Sequence, residues 1–589
     1  MLNKLSGKYE LYVINIFHHL ALLTNLYHYV MSMKNKQQNR PIVPMVLAFV
    51  IVFLILLGGS FASLTIYASA TTTTTILSSP STLTPIKHIV IIFQENVSFD
   101  HYFATYPYAM NRANGSKFTA NPNTPPVNGL GKLAALLTYN PNSANPYRLD
   151  PSQQRTCEIT HSYTGEQKEY DGGLMDKFVQ FSNPLFSFNP KEIGKCNPNQ
   201  VMGYYDGNAV TALWNYAQHY AMSDNYYGST FGPSVPGHLN LIAGQTHGAV
   251  VSSSSSSYSS NIKGVVNGTV IGNPDPVRDD CSPSFLPPSG LISMVGKNIG
   301  NLLNSKNITW GWFSAGFKPS VKSAEGKWIC TFTDHTSIGG WNSHDYYPDV
   351  EPFQYYNSTA NPHHLSPMSV SMIGHTDSAN HQYDIGSFWN AAMSGNLPEV
   401  SFLKAATYQD AHPIDSDPID EQNFLVNTIN KLQRLPEWSS TAIIITYDDS
   451  GGWYDHVMPP LISQSNDHAN DALLGNAGLC GQAVPNGTYQ DRCGYGPRLP
   501  LLIVSPYSKV NFIDHAIIDQ SSILRFIEDN WYLGRIGNQS FDAKAGSIMN
   551  MFDFSNGNNG HKTKNPTLFL NPDTGLLIQN STSVSKGKS

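Results

Sequence analysis

Two short apolar runs, His88 to Phe93 (HIVIIF) and Ala442 to Thr446 (AIIIT), are each followed at once by oxygen-bearing side chains: Glu95 and Asn96 after the first, Asp448 and Asp449 after the second. Carboxylates and a side-chain amide oxygen are the hard donors that divalent cations such as Mg, Ca and Mn select. Two adjacent aspartates at a strand end repel each other unless a cation or a proton compensates, so a metal is the simplest account of the pair. Taken alone, each cluster also fits turn or helix-capping chemistry. A third segment, Ser229 to His247 (STFGPSVPGHLNLIAGQTH), sets Ser234 in a Gly-Pro-Ser turn ahead of a helix-like apolar stretch. That hydroxyl either caps the helix or, beside free helical N–H groups and a metal that lowers its pKa, attacks phosphorus. No Gly-x-Ser-x-Gly elbow occurs in this segment, which disfavours an acyl-transfer serine hydrolase.

For these donors to meet, the runs that carry them must be neighbouring strands. HIVIIF, AIIIT and Leu499 to Val504 (LPLLIV) are apolar enough to be buried on both faces. Helical patterns lie between and after them: Asp420 to Leu435 (DEQNFLVNTINKLQRL), and Ser521 to Trp531 (SSILRFIEDNW) with Ser521 as the expected N-cap. Strand and helix alternate, which predicts an α/β fold with a central, mainly parallel sheet flanked by helices. Such sheets bind ligands beyond the carboxyl ends of their strands, where Glu95, Asn96, Asp448 and Asp449 fall.

Of the 589 residues, 41% are hydrophobic and 11% aromatic, enough for a large core, while the 13% that are charged amount to about half of ordinary usage. With 35 basic and 42 acidic residues the net charge is −7, and no basic stripe offers a nucleic-acid footprint. The N-terminus points to a membrane. No charge occurs from Pro41 to Ile86; Lys34 to Arg40 is basic, Val43 to Leu57 is almost wholly apolar, and Ala68-Ser69-Ala70 follows. These are the parts of an export signal cleaved after Ala70, or of a retained anchor over residues 42–67. Met31 or Met33 as the start would give the signal its ordinary shape. The protein is therefore expected outside the cytoplasm, secreted or anchored at the outer face of the cytoplasmic membrane. Six cysteines, Cys157, Cys196, Cys281, Cys330, Cys480 and Cys493, fit disulfides in that compartment, and pairing of neighbours would close the shortest loops. Without a CxxC spacing, structural zinc is not expected. Glycosylation triplets at Asn114, Asn267, Asn307, Asn357, Asn486, Asn538 and Asn580 decide nothing.

Several segments together carry a family resemblance. IKHIVIIFQENVSFDHYF (86–103) resembles the opening signature of the phosphoesterase family that contains bacterial phospholipases C and secreted acid phosphatases, within the alkaline-phosphatase-like superfamily. THSYTGEQKEYDGGLMDKF (160–178), GPSVPGHLNLIAG (232–244), QDAHPIDSDPIDEQ (409–422), TYDDSGGWYDHVMPP (446–460) and GPRLPLLIVSPYSK (496–509) follow in the family's order. The resemblance implies an alkaline-phosphatase-like fold with long loop insertions. It also implies one divalent metal ion of open identity held by Glu95, Asn96, Ser234, Asp448 and Asp449, with Ser234 as the nucleophile that becomes phosphorylated. Val97 departs from it, standing where the family usually has arginine. The domain reading is then an N-terminal extension and signal or anchor (1–70), a Thr/Ser-rich linker (71–84), the phosphoesterase domain (85–572) and a flexible tail (573–589), with Ser252 to Ser260 as a solvated loop.

Histidines must manage protons and phosphate oxygens. His412, in a proline-fixed turn, and His161 are the leading candidates, and His364 is a further phosphate contact. His238 either joins the site or packs locally, and His101 and His456 are read as orienting nearby carboxylates. The expected substrate is a phosphoester, either a small phosphomonoester or a phospholipid head group. The phospholipase branch tends to carry threonine where Ser234 stands, so serine leans to the acid phosphatase side. Phospholipid phosphodiester cleavage and an inactive cell-envelope binding protein on the same fold are the alternatives. A sulfatase is disfavoured because its Cys/Ser-x-Pro-x-Arg string is absent.

Overall fold

The computed structural model describes residues 81–111, 118–150, 156–182, 196–252, 264–282, 290–319, 321–322, 328–329, 334–340, 342–463, 465, 467, 469–472, 492–555 and 567–578. The signal or anchor segment 42–67, most of the linker, nearly all of the Ser-rich patch, Cys330, Cys480 and the end of the tail lie outside these residues. Among the described residues no helix is long and apolar enough to cross a membrane.

The described residues build a nine-stranded sheet from β1 (His88–Gln94), β2 (Ala221–Tyr227), β3 (Trp310–Ser314), β4 (Gln382–Asp384), β5 (Val400–Lys404), β6 (Thr441–Tyr447), β7 (Arg498–Val504), β8 (Phe512–Asp514) and β9 (Ile518–Asp519). The spatial order is β4-β3-β5-β1-β6-β7-β2-β8, with β9 also paired to β2. Only β7 runs antiparallel to its neighbours β6 and β2. The mainly parallel α/β reading of the sequence therefore holds. β1 is central, parallel to both β5 and β6. Its register with β6 runs from His88 beside Thr441 to Gln94 beside Tyr447, so Glu95 and Asp448 leave the sheet as neighbours.

Seven helices position the site and the core: α1 (Phe99–Phe103), α2 (Tyr163–Tyr170), α3 (Thr211–His219), α4 (Ser234–Ala243), α5 (Ile385–Met393), α6 (Pro418–Leu432) and α7 (Gln520–Asn530). Ile89, Ile91 and Phe93 of β1 pack on one side with Val235, Leu239 and Ile242 of α4 and Ile523 of α7. Val90 and Ile92 pack on the other side with Phe99 of α1, Trp214 of α3 and Leu425 of α6. Covering both faces is why the strand reads as one unbroken apolar run. Each such side chain contributes about 1.5–3 kcal/mol by leaving water.

The sequence places the α7 cap wrongly. Asp519, not Ser521, is the N-cap: its carboxylate accepts from the Ser521 N–H, and the Ser521 hydroxyl donates to it at 2.7 Å. Likewise α6 starts at Pro418 under an Asp417 cap that accepts the Ile419 and Asp420 N–H groups. Residues 573–578, read as tail, are held against the body, with Asn215 of α3 donating to the Gly575 carbonyl at 2.8 Å and Leu570 bridging Leu577.

Cys157 and Cys196 form a disulfide with Cα atoms 6.1 Å apart and a sequence separation of 39, as neighbour pairing predicts. Cys281 and Cys493 are each in a disulfide whose partner lies outside the described residues. Cross-linking a loop of that length removes chain entropy worth about 4 kcal/mol. The double variant C157S/C196S should lose roughly that much in non-reducing urea unfolding; a loss below about 1 kcal/mol would contradict the disulfide's role in anchoring this segment.

Candidate active site

The ends of β1 and β6 deliver their donors to one buried rim, where Glu95, Asn96, Asp448 and Asp449 are each at most 4% exposed. Asn96 sits at φ 58°, the left-handed region that Asn tolerates better than most residues. There its N–H donates to Asp448 Oδ1 at 2.9 Å, and the Asp449 N–H donates to the same oxygen at 2.7 Å. Asp449 Oδ1 accepts from the Gly451 N–H at 2.6 Å. Each aspartate is thus fixed through one oxygen, and the other is left over. Asp448 Oδ2, Asp449 Oδ2, both polar atoms of the Asn96 side chain and His238 Nε2 are buried without a hydrogen-bond partner. Folded proteins leave few such atoms, and several at one rim call for a group that satisfies them together. The donor set fits a divalent cation, and Glu95, His238 and Asp448 each place a ligand atom within 4.8 Å of the others.

The electrostatics agree. Burial first, then the neighbouring Asp449 and Glu95 charges, pushes the Asp448 carboxyl well above its usual range. Burial also raises Asp449, to about 6. Burial would raise Glu95 too, but the Lys404 ammonium and then His238 overcome it and hold Glu95 at about 2. Lys404, at the end of β5, is buried, with its Nζ 3.0 Å from Glu95 Oε1 and 2.6 Å from Asp410 Oδ2. Carboxyls raised in this way hold a proton unless another positive charge takes its place, which is what a cation at this rim would supply.

Ser234 is the first residue of α4, behind Pro233, which supplies no side-chain cap. The alternative that Ser234 merely caps the helix is therefore not what the fold shows. Ser234 is buried, 4% exposed. Two contacts tie α4 to the aspartate turn. His238 Nδ1 lies 2.9 Å from the Ser234 carbonyl oxygen and 3.7 Å from Asp448 Oδ2. Gly237 passes so close that a Cβ there would stand 2.2 Å from the Asp448 carbonyl oxygen. Glu166 of α2 braces both turns, accepting from the Gly232 N–H at 2.8 Å and the Ser450 hydroxyl at 2.7 Å.

His161 and His412 come together around Glu158. His161 Nδ1 is 3.7 Å from Glu158 Oε1, its Nε2 is 3.8 Å from Asp449 Oδ2, and His412 Nε2 is 3.5 Å from Glu158 Oε2. Burial would lower His412, but Glu158, then Asp415 and Asp410, hold it well above its ordinary value. His364 is placed differently. Its Nδ1 contacts the Phe317 carbonyl at 2.6 Å and its Nε2 contacts Asp279 at 2.8 Å, so both ring nitrogens are engaged in a neighbouring buried group.

That group, Asp279 with Cys281 and His364, has metal-like spacing, but its sulfur is in a disulfide and Asp279 also accepts from Tyr346 and Gln354. A third group, Asp100 with Asp455 and His456, is neutralised by Arg498, 3.1 Å from both carboxylates. His456 orients Asp100 at 2.6 Å rather than any donor of the rim, and His101 stacks on Trp453 with centroids 3.7 Å apart. Val97 packs in the core, 1% exposed, and its N–H donates to the Asp449 carbonyl at 3.0 Å. Lys404, Glu158 and Glu166 escape sequence reasoning: each is a common charged residue, and only the fold reveals that Lys404 and Glu166 are buried beside the rim and that Glu158, half-buried, joins His161 to His412.

A model of the Phosphoesterase family matches residues 86–534. The chain is 22% identical over 487 residues to the non-hemolytic phospholipase C of Pseudomonas aeruginosa, covering 81% of this chain and 58% of that one. It is 25% identical over 495 residues to the non-hemolytic phospholipase C of Burkholderia pseudomallei, covering 80% and 60%. It thus spans about three fifths of the length of these two relatives. Among solved structures it is similar to a murine ectonucleotide pyrophosphatase/phosphodiesterase, at 12% identity over 58% of this chain and 95% of that chain, with a TM-score of 0.28. With the family's motifs in order from β1 to the end of α7 and more than half of the chain matched, the chain belongs to the Phosphoesterase family.

Proposed function

We propose that the protein is an exported, metal-dependent phosphoester hydrolase that works through Ser234. The observation that carries this reading is the set of buried, unpartnered side-chain atoms of Asn96, Asp448 and Asp449, with Asp448 Oδ2 3.7 Å from His238 of the helix that Ser234 opens. Glu95, Asn96, Ser234, Asp448 and Asp449 would hold one divalent ion, which when bound supplies Lewis-acid stabilisation of phosphoryl oxygens and a lower pKa for a hydroxyl. The chain's own residues do the rest. Ser234 Oγ releases its proton to solvent and attacks phosphorus in line, and the ester oxygen leaves from the opposite side, giving a phosphoserine. The His412 imidazolium holds phosphoryl oxygens, with His161 beside it; the start of α4 adds little, because the Val235 N–H donates to Asn273 Oδ1 and Pro236 has none. His412 also hands a proton to the departing alkoxide. Water then attacks the phosphoserine, so two inversions give net retention at phosphorus.

Ser234 favours a phosphomonoester as substrate. The test is turnover of a chromogenic phosphomonoester and of a choline phospholipid by purified protein, with and without chelator and with S234A. Chelator-sensitive monoester turnover is expected. Preference for the phospholipid would move the assignment to phospholipase C, and no turnover of either by metal-replete protein would support the inactive binding protein.

The charge on His412 gives a pH prediction. Because Glu158 is the strongest influence keeping its pKa high, His412 stays protonated well above the ordinary histidine range. E158Q should therefore move the alkaline limb of the kcat/KM profile to lower pH. An alkaline limb unchanged in E158Q would contradict His412 as the proton donor.

A further inference from the structure

We infer that His238 Nε2 is a ligand of the bound cation, which makes the coordination mixed nitrogen and oxygen and favours a first-row transition metal over Mg2+ or Ca2+. The inference rests on the metal-centred reading above. His238 lies one helical turn after Ser234 on α4, and its side chain is fully buried. Its Nδ1 meets the Ser234 carbonyl oxygen at 2.9 Å, a partner that can only accept, so Nδ1 carries the proton. That fixes the tautomer and leaves a lone pair on Nε2. Ligating imidazoles almost always have this arrangement, with one nitrogen donating to a carbonyl and the other free for the metal.

Nε2 is buried and has no hydrogen-bond partner. It faces the rim, 3.6 Å from Glu95 Oε1, and forms with Glu95 and Asp448 a set of ligand atoms within 4.8 Å of one another. The ring cannot easily turn away. Phe93 packs edge-on against it with centroids 4.8 Å apart, and Trp312 closes another side at 6.1 Å. A lone pair held dry and aimed at carboxylates repels them unless a cation lies between. Imidazole is a good ligand for Zn, Fe and Ni and a poor one for Mg and Ca, so its presence biases the site's choice of metal.

The probe is Mn2+ added to the chelator-stripped full chain, read by pulsed electron paramagnetic resonance. Wild type should show the modulation of a directly bound nitrogen-14, and histidine labelled with nitrogen-15 should convert it to the nitrogen-15 pattern. H238Q should lose the coupling while H161Q keeps it. Removing a group that merely orients a ligand weakens metal binding by about 10- to 100-fold, so loss of a ligand should weaken Zn2+ binding by at least about 100-fold in H238Q, with a smaller change for Mg2+. Mn2+ bound by wild type without nitrogen coupling overturns the inference, as does coupling that persists in H238Q. The labelling arm uses the wild-type chain and stands even if H238Q does not fold. A wild type that takes up no divalent ion overturns the proposed function and this inference together, whereas Mn2+ bound through oxygen alone leaves the proposed function intact.

Discussion

S234A should lower kcat on a chromogenic phosphomonoester by about 10,000-fold or more, because removing a nucleophile deletes the covalent step and leaves only binding and positioning. The substitution removes one oxygen from a helix start that it does not cap, so melting temperature should move little, while metal binding should weaken because one of the five ligands is lost, and kinetics are therefore read at saturating metal. Steady-state kinetics beside thermal unfolding measure both effects. A loss below about tenfold would mean that water, not the serine, attacks phosphorus. Rapid quenching of wild type with substrate should trap phosphate on Ser234, and the variant should trap none.

G237A should be nearly as damaging, though no atom of that residue enters the chemistry. The added methyl would overlap the Asp448 carbonyl oxygen at 2.2 Å and its carbonyl carbon at 2.8 Å, both rigid backbone atoms. Helix α4 or the aspartate turn must then shift, parting Ser234 from Asp448. Overpacking of this kind costs about 1–3 kcal/mol, and a misplacement of about 1 Å at a reacting group costs about 100-fold in rate. The expected result is a lower urea midpoint and a kcat/KM reduced by about 100-fold. Unchanged kinetics would show that the close approach of α4 does not set the position of the serine.

What the sequence discloses follows from burial. HIVIIF and AIIIT announce themselves because β1 and β6 are covered on both faces, and the donors that follow them share a rim because the two strands pair in register. The strands β2 (AMSDNYY), β3 (WGWFS) and β5 (VSFLK) are no less buried, yet their mixed polar and aromatic residues hide them from a search for apolar runs. Lys404 is the clearest loss. A lysine in a sequence reads as a solvated charge, and only the placement of β5 beside β1 brings it to Glu95. His238 stays ambiguous for a similar reason, since its tautomer depends on a carbonyl four residues earlier and its orientation on Phe93 and Trp312. The cap of α7 is missed because three acceptor or hydroxyl residues stand in a row, Asp519, Gln520 and Ser521, and only the helix start decides among them.

The most direct measurement is calorimetric titration of the chelator-stripped protein with Mn2+, comparing wild type with D448N/D449N. One ion per chain is expected for the wild type. The double variant should bind at least about 100-fold more weakly, because two anionic ligands become neutral amides. Binding of equal strength in both proteins, or none in the wild type, would contradict a metal centre at the ends of β1 and β6.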